Sequence, residues 1–177
     1  DYIAPSIDGA PLRSDFLNAA EAQGHEHLLG SGECTAFFIL GQSTLSGDVL
    51  FHKNREERDE TQVAFTKKCP GKFRFVGGAD VGNLGTAHCL TENEWAGANN
   101  TGSAIISTEY TDCALSDAHA LRYFAENCKT LDDIVLACEN LIANNWLGGG
   151  GFDKGSIFMF ADKERGLVIE STSKHMA

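Results

Sequence analysis

The most constraining feature of this chain is the order of its apolar patterns. Strand-like runs come first, two helical patterns follow back to back, and strand-like runs return. The first helical pattern opens at Ser116 or Asp117 and repeats Leu121, Phe124, Ala125 and Cys128 on one side. In the second, Thr130 and Asp133 read as a capping box with Asp in place of Glu. Behind them Leu131, Ile134, Val135, Cys138, Leu141 and Ile142 keep the helical period. Helices that follow each other without an intervening strand do not build a parallel βαβ sheet. The pattern predicts an α+β fold with a largely antiparallel sheet and helices covering one face.

The strand-like runs are short. Residues 35–40 are apolar and β-prone, the turn signal Ser46-Gly47-Asp48 follows, and a strand restarts over 49–52. Further strands are expected at 63–65, 72–76, 87–90, 95–98 and 103–109. A last hairpin joins 156–161 to 167–171 around residues 162–166. Residues 77–85 and 148–151 read as glycine-rich loops, and 53–62 as a polar, charged one. The glycines at 77, 78, 82 and 85 lack a G-x-G-x-x-G pattern, so a dinucleotide reading has little support. Ahead of all this, residues 1–13 form an irregular arm, and Ser14 caps a helix reaching about Leu29, with Phe16, Leu17, Ala20 and Leu28 on one side. The expected division is an arm over 1–33 and a core over 34–177.

Composition excludes several partners. Fourteen basic against 25 acidic residues give a formal charge of −11. A phosphate-backbone binder needs a basic footprint, so nucleic acid is not an expected partner. The same charge opposes docking on an anionic membrane, and no apolar run approaches the roughly 20 residues of a membrane helix. The negative field tilts substrate preference towards cations. The six cysteines, at 34, 69, 89, 113, 128 and 138, include no C-x-x-C pair, which removes zinc-ribbon and thioredoxin readings. No His-x-x-x-His or acidic cluster suggests a metal, and no cofactor is expected. Free thiols are favoured over three disulfides, which places the chain in the cytoplasm, with secretion as the alternative. Residues 1–30 show no basic segment followed by an apolar one, so no targeting signal is read there.

Cys34 is the first candidate for chemistry. It follows the flexible segment Gly30-Ser31-Gly32-Glu33 and opens a strand. A cysteine there is reachable, whereas one within a helix face is usually buried. The plainer reading is a buried strand cysteine. If the Glu33–Cys34 bond is cut, the new α-amine lies beside the thiol, and its pKa of about 7.7–8 suits a general base. The charged run from Lys53 to Glu60 is a second candidate, able to bind a carboxylate or a cation, with a solvated loop as the plain alternative. The third is Asn99-Asn100-Thr101-Gly102, where an amide or backbone N–H can steady an oxyanion, with a turn as its plain alternative. A Cys-His hydrolase using His52, His88 or His119 is also open, because no spacing singles one out.

The motifs together resemble a family. Cys34-Thr35 is followed by Phe37, Ile39 and Gly41, then Ser46-Gly47, Leu50, Phe51, Lys53-Asn54 and an acidic residue at 56. This is similar to the opening of the cysteine N-terminal-nucleophile (Ntn) hydrolases, above all the acyl-coenzyme A:6-aminopenicillanic acid acyltransferase (isopenicillin N acyltransferase-like) group. The dipeptidase and secernin-like group is close to it. Gly71-Lys72-Phe73 resembles a family strand, Ala161-Asp162-Lys163 through Ile169-Glu170 its late hairpin, and His175-Met176-Ala177 a dipeptidase ending.

The resemblance implies an αββα sandwich and action on a C–N amide bond of an acyl-amino acid, short peptide or amide conjugate. Through it Cys34 is the nucleophile, exposed by cleavage after Glu33. Lys53 matches a basic residue near the nucleophile, often Arg in the family, and Glu56 an acidic position, usually Asp. Asn99 matches an oxyanion-hole residue, and Asn54 and Asn100 are carried with their neighbours as substrate-binding candidates. The family's Asn-Glu-x-Gly reads Asn93-Glu94-Trp95-Ala96 here, with the glycine one place late. That departure and Lys for Arg keep a second reading open, an inactive relative serving as a binding or scaffold protein. Family chains continue past the Glu170 hairpin to a second oxyanion Asn. The resemblance therefore implies that 34–177 is an incomplete core or one closed another way, such as against a second copy.

Overall fold

The computed structural model describes residues 34–55, 62–106, 115–148 and 154–177. The arm expected over 1–33 lies outside them, as do Glu33, Glu56 and Cys113. Among the described residues the fold is mixed α+β, with antiparallel sheets and two helices. Strands β1 (Thr35–Ile39) and β2 (Leu50–Asn54) form a two-stranded sheet. Strands β3 (Gln62–Lys67), β4 (Phe75–Asp80), β5 (His88–Thr91), β6 (Ala96–Ile106), β7 (Lys154–Ala161) and β8 (Gly166–Ser171) form a six-stranded sheet in sequence order. Helices α1 (Asp117–Asn127) and α2 (Leu131–Ala143) fall between β6 and β7, as the sequence pattern requires. Neither helix is long and apolar enough to cross a membrane.

The helix caps follow the sequence. The Ser116 side chain accepts from the His119 backbone N–H, and Thr130 and Asp133 close a reciprocal capping box. Both helices press their apolar sides on one face of the large sheet. That face alternates along each strand, so Phe158 and Phe160 of β7 pair with Ile169 and Leu167 of β8. Phe124 of α1 meets Phe158 and Phe160 edge-on, at centroid distances of 5.7 and 6.0 Å, and Trp95 meets Phe160 at 5.8 Å. Each such ring, taken fully from water, contributes about 1.5–3 kcal/mol. This is the main core, completed by Phe75, Leu121, Leu131, Ile134 and Leu147.

The small sheet lies against the other face, with β1 packed on β6 and β7. Its own alternation is regular. Ala36, Phe38, Phe51 and Lys53 are half-buried on the inner side, while Phe37, Ile39, Leu50 and His52 are exposed on the outer. Phe38 lies directly on Gly166, where a Cβ would stand 2.0 Å from its ring. Only glycine admits that approach.

Three sequence expectations are corrected. The glycine-rich segment at 77–85 is not all loop, because β4 runs on through Gly77 and Gly78 to Asp80. Added Cβ atoms there would lie 2.5 Å from Thr86 Oγ1 and 2.4 Å from the His88 ring. The strands expected at 95–98 and 103–109 are one strand, β6, so Asn99–Gly102 is no turn. Its pairing with β7 shifts between Gly102 and Ile106. Finally, β2 runs on to Asn54, which puts Lys53 in the sheet instead of a loop.

Candidate active site between the two sheets

Cys34 precedes the first residue of β1, where Thr35 pairs with Asn54. Extending that antiparallel register sets Cys34 opposite Arg55. Both then share the inner side of the small sheet with Lys53, two residues back along β2. Arg55 belongs to the charged run from Lys53 to Glu60 that the sequence offers as a carboxylate or cation binder, with a solvated loop as the plain alternative.

Lys53 is the hub. Its ammonium donates to the Asn99 carbonyl at 2.7 Å and to Asn100 Oδ1, and it is hydrogen-bonded to the Cys34 thiol. Three N–H groups thus meet three acceptors, the full capacity of a lysine. Burial lowers the Lys53 pKa from its ordinary value, with the Arg55 charge adding to that, while Cys34 and Asp117 pull it back up. Arg55 grips Asp80 at the end of β4 by two bonds, Nη1 to Oδ1 at 2.5 Å and Nη2 to Oδ2 at 2.9 Å. Both side chains are close to buried, with exposures of 11% and 15%. Lys53 and Arg55 therefore each cross from one sheet to the other.

The candidate asparagines separate. Asn99 pairs with Phe158, so its side chain points to the helix layer, where it bonds the Asp117 carboxylate at the start of α1. Asn99 Oδ1 has no partner, so the amide nitrogen makes that bond. Burial raises the Asp117 pKa above the usual carboxylate range, and the Asn99 and Ala118 hydrogen bonds oppose the rise. Asn100, one residue on, faces the small sheet and takes its bond from Lys53. Asn54 is exposed on the outer side of β2, away from Cys34. Glu56 and Glu33 fall outside the described residues.

The histidines separate too. His52 is on the outer side, stacked on Phe37 at 4.8 Å. His119 bonds Ser116 Oγ through Nδ1 at 2.8 Å. His88 alone of these three shares a face with Asn100. It pairs with Ala98 on one side and Gly78 on the other, and Asn100 lies two residues along from Ala98. Burial lowers its pKa, with the Arg55 and Lys53 charges adding to the effect.

The other described cysteines are free thiols. Cys89, Cys128 and Cys138 are buried, and burial pushes each up to about 12, so they stay protonated at neutral pH. Among the described residues, no group of three or more His, Cys, Asp and Glu side chains is placed to hold a metal ion. Arg55, Asp80 and Asp117 carried no local sequence signal. Arg55 and Asp80 are 25 residues apart, and the partner of Asp117 is Asn99 on β6, so only the folded sheet joins them. No family model matches the chain, and no curated protein matches its sequence.

Proposed function

We propose that this chain is a cysteine Ntn-type hydrolase or acyltransferase of αββα architecture, acting on a C–N amide bond through an acyl-enzyme on Cys34. The observation that supports it is the Lys53 ammonium, held at once by the Cys34 thiol and by Asn99 and Asn100. The thiolate is the nucleophilic form of cysteine, and here a cation lies against a half-buried thiol. Lysine in place of arginine gives a single compact charge and no planar fork.

The proposed course is as follows. The Cys34 thiol first attacks the Glu33 carbonyl, the peptide C–N bond breaks to give a thioester and the free Cys34 amine, and hydrolysis of that thioester releases the Glu33 carboxylate and the thiol. That amine takes the thiol proton in the mature form. The thiolate adds to the substrate carbonyl, the C–N bond breaks, and the amine leaves with the proton. Asn100 is better placed than Asn99 to donate to the oxyanion, because the Asn99 amide nitrogen is bound to Asp117. Water or a second amine then takes the acyl group. Substrates are small amides or peptides. The paired cations Lys53 and Arg55 offset, at the site itself, the negative charge of the whole chain.

Intact-mass analysis and thiol labelling test the reading. Expected are a peptide ending at Glu33 and alkylation of Cys34 by iodoacetamide ahead of Cys89, Cys128 and Cys138. Full-length mass after long incubation overturns the maturation step. Slow labelling of Cys34 at the rate of the buried thiols favours the scaffold alternative.

A further inference from the structure

We propose that His88 is the catalytic base for the second half-reaction, taking the proton from the water or amine that receives the acyl group from Cys34. This rests on the acyl-enzyme reading above.

The other groups near Cys34 are already engaged. Lys53 has its three N–H groups committed and carries no lone pair while charged. Arg55 does not deprotonate in a protein and is bound to Asp80 at two points. Asp80 is in turn occupied by Arg55, and Asp117 faces the helix layer, bound to Asn99 and Ala118. His88 differs from all four. Its Nδ1 is buried and has no hydrogen-bond partner among the described residues. A buried, unpartnered ring nitrogen is destabilising and calls for a reason, of which a catalytic role is one.

The surroundings fit that role. Diagonal neighbours on one face of an antiparallel pair lie about 7–8 Å apart, within reach of long side chains. His88 and Asn100 stand in that relation, and Asn100 shares Lys53 with Cys34. The ring is seated on Gly78, where a Cβ would lie 2.4 Å from Cε1 and Nε2. Ala98, its partner on the other side, is also small. The position is thus shaped for an imidazole. The charged groups that face it are Arg55 and Lys53, with Asp80 beyond Arg55; burial first, and then the two cations, hold its pKa below the ordinary imidazole value. A neutral imidazole keeps a lone pair on one ring nitrogen, which is the state a base needs. The Cys34 amine belongs to the small sheet, whereas His88 stands on the large one. The imidazole therefore serves an acceptor that approaches from the opposite wall.

The step balances. The acceptor oxygen or nitrogen bonds to the thioester carbon while its proton passes to His88 Nδ1. The C–S bond then breaks, and the sulfur leaves as a thiolate held by Lys53. The imidazolium returns its proton to solvent.

A chromogenic activated ester, p-nitrophenyl acetate, separates the halves. The wild-type protein is expected to release a burst of about one equivalent of nitrophenol and then turn over slowly. His88→Gln should keep the burst and lose about 100-fold in the steady rate. In the wild-type protein the steady rate should fall with acid as one group protonates, below the usual imidazole range, and His88→Gln should lose that limb. Cys34→Ala should abolish the burst. A burst that survives Cys34→Ala sinks the acyl-enzyme reading itself. Steady turnover in His88→Gln within twofold of wild type, or equal loss of burst and turnover, overturns the His88 role. If His88→Gln does not fold, the wild-type pH profile decides, and a rate that climbs with hydroxide through the whole range overturns it.

Discussion

Arg55 and Asp80 lock the end of the small sheet to the end of β4, guanidinium to carboxylate at two points. Neither side chain has much access to water. Removing one partner leaves the other charge stranded, which costs about 3–5 kcal/mol in buried pairs. Arg55→Met is therefore expected to lose about 3 kcal/mol, and Asp80→Leu a similar amount. The double variant should recover much of the loss. Urea unfolding of all four proteins measures the coupling, and additive losses contradict it.

Lys53→Met leaves the Cys34 sulfur without its cation. The rate of Cys34 alkylation by iodoacetamide at pH 7 should fall about tenfold, because the thiolate is the reacting form. Lys53→Arg should keep most of the rate, since charge is retained even where the bonds to Asn99 and Asn100 shift. Mass spectrometry of the labelled protein reads Cys34 separately, and equal rates in wild type and Lys53→Met refute the role.

Acid should act through His119. Burial, aided by the Arg122 charge, pushes its pKa down to about 4 from the ordinary 6.5. The unfolded chain therefore binds this proton first. The contribution is fully present above pH 6.5 and is lost as pH falls to about 4. Its size is about 3 kcal/mol. Between those limits wild-type stability should drop more steeply than that of His119→Gln. Denaturant melts across the range give the difference curve, and parallel curves rule the linkage out.

Gly166→Ala drives a methyl into the Phe38 ring, 2.0 Å from its Cε2. Overpacking of this kind costs about 1–3 kcal/mol. Because Phe38 holds the small sheet on the large one, the variant should also loosen Cys34 from Asn100. Faster hydrogen exchange confined to β1 and β2 is expected. Uniform exchange across both sheets would show instead that the two unfold as one unit.

Some of this was written plainly in the sequence. Thr130 and Asp133 announced the α2 cap, and the period of Leu131, Ile134, Cys138 and Leu141 announced its buried side. The final hairpin was legible from its turn. Gly77 and Gly78 misled because glycine usually ends a strand, whereas here Thr86 and His88 fill the space a Cβ would take. Asn99 and Asn100 looked like a turn because polar residues are costly in mid-sheet. Asp117 and Lys53 supply their partners from opposite sides, and neither is near in sequence. The same holds for Arg55, whose charge looked solvated until Asp80 was beside it. Cys34 and Lys53 were singled out in advance. Their direct contact, and the three-way engagement of the ammonium, depend on a strand pairing that no spacing encodes.

The six-stranded sheet is made of neighbours, each strand paired with the next described strand. Most of its joins are hairpins that close locally and early. The small sheet has no ladder to it and meets it through side chains, Phe38 at one end and Lys53 and Arg55 at the other. Nucleophile and cation thus travel on one piece, and their acceptors on another. A nascent chain has its thiol but not the acceptors that fix the ammonium beside it. The contacts that fix the ammonium beside the thiol therefore exist only where the two sheets are docked.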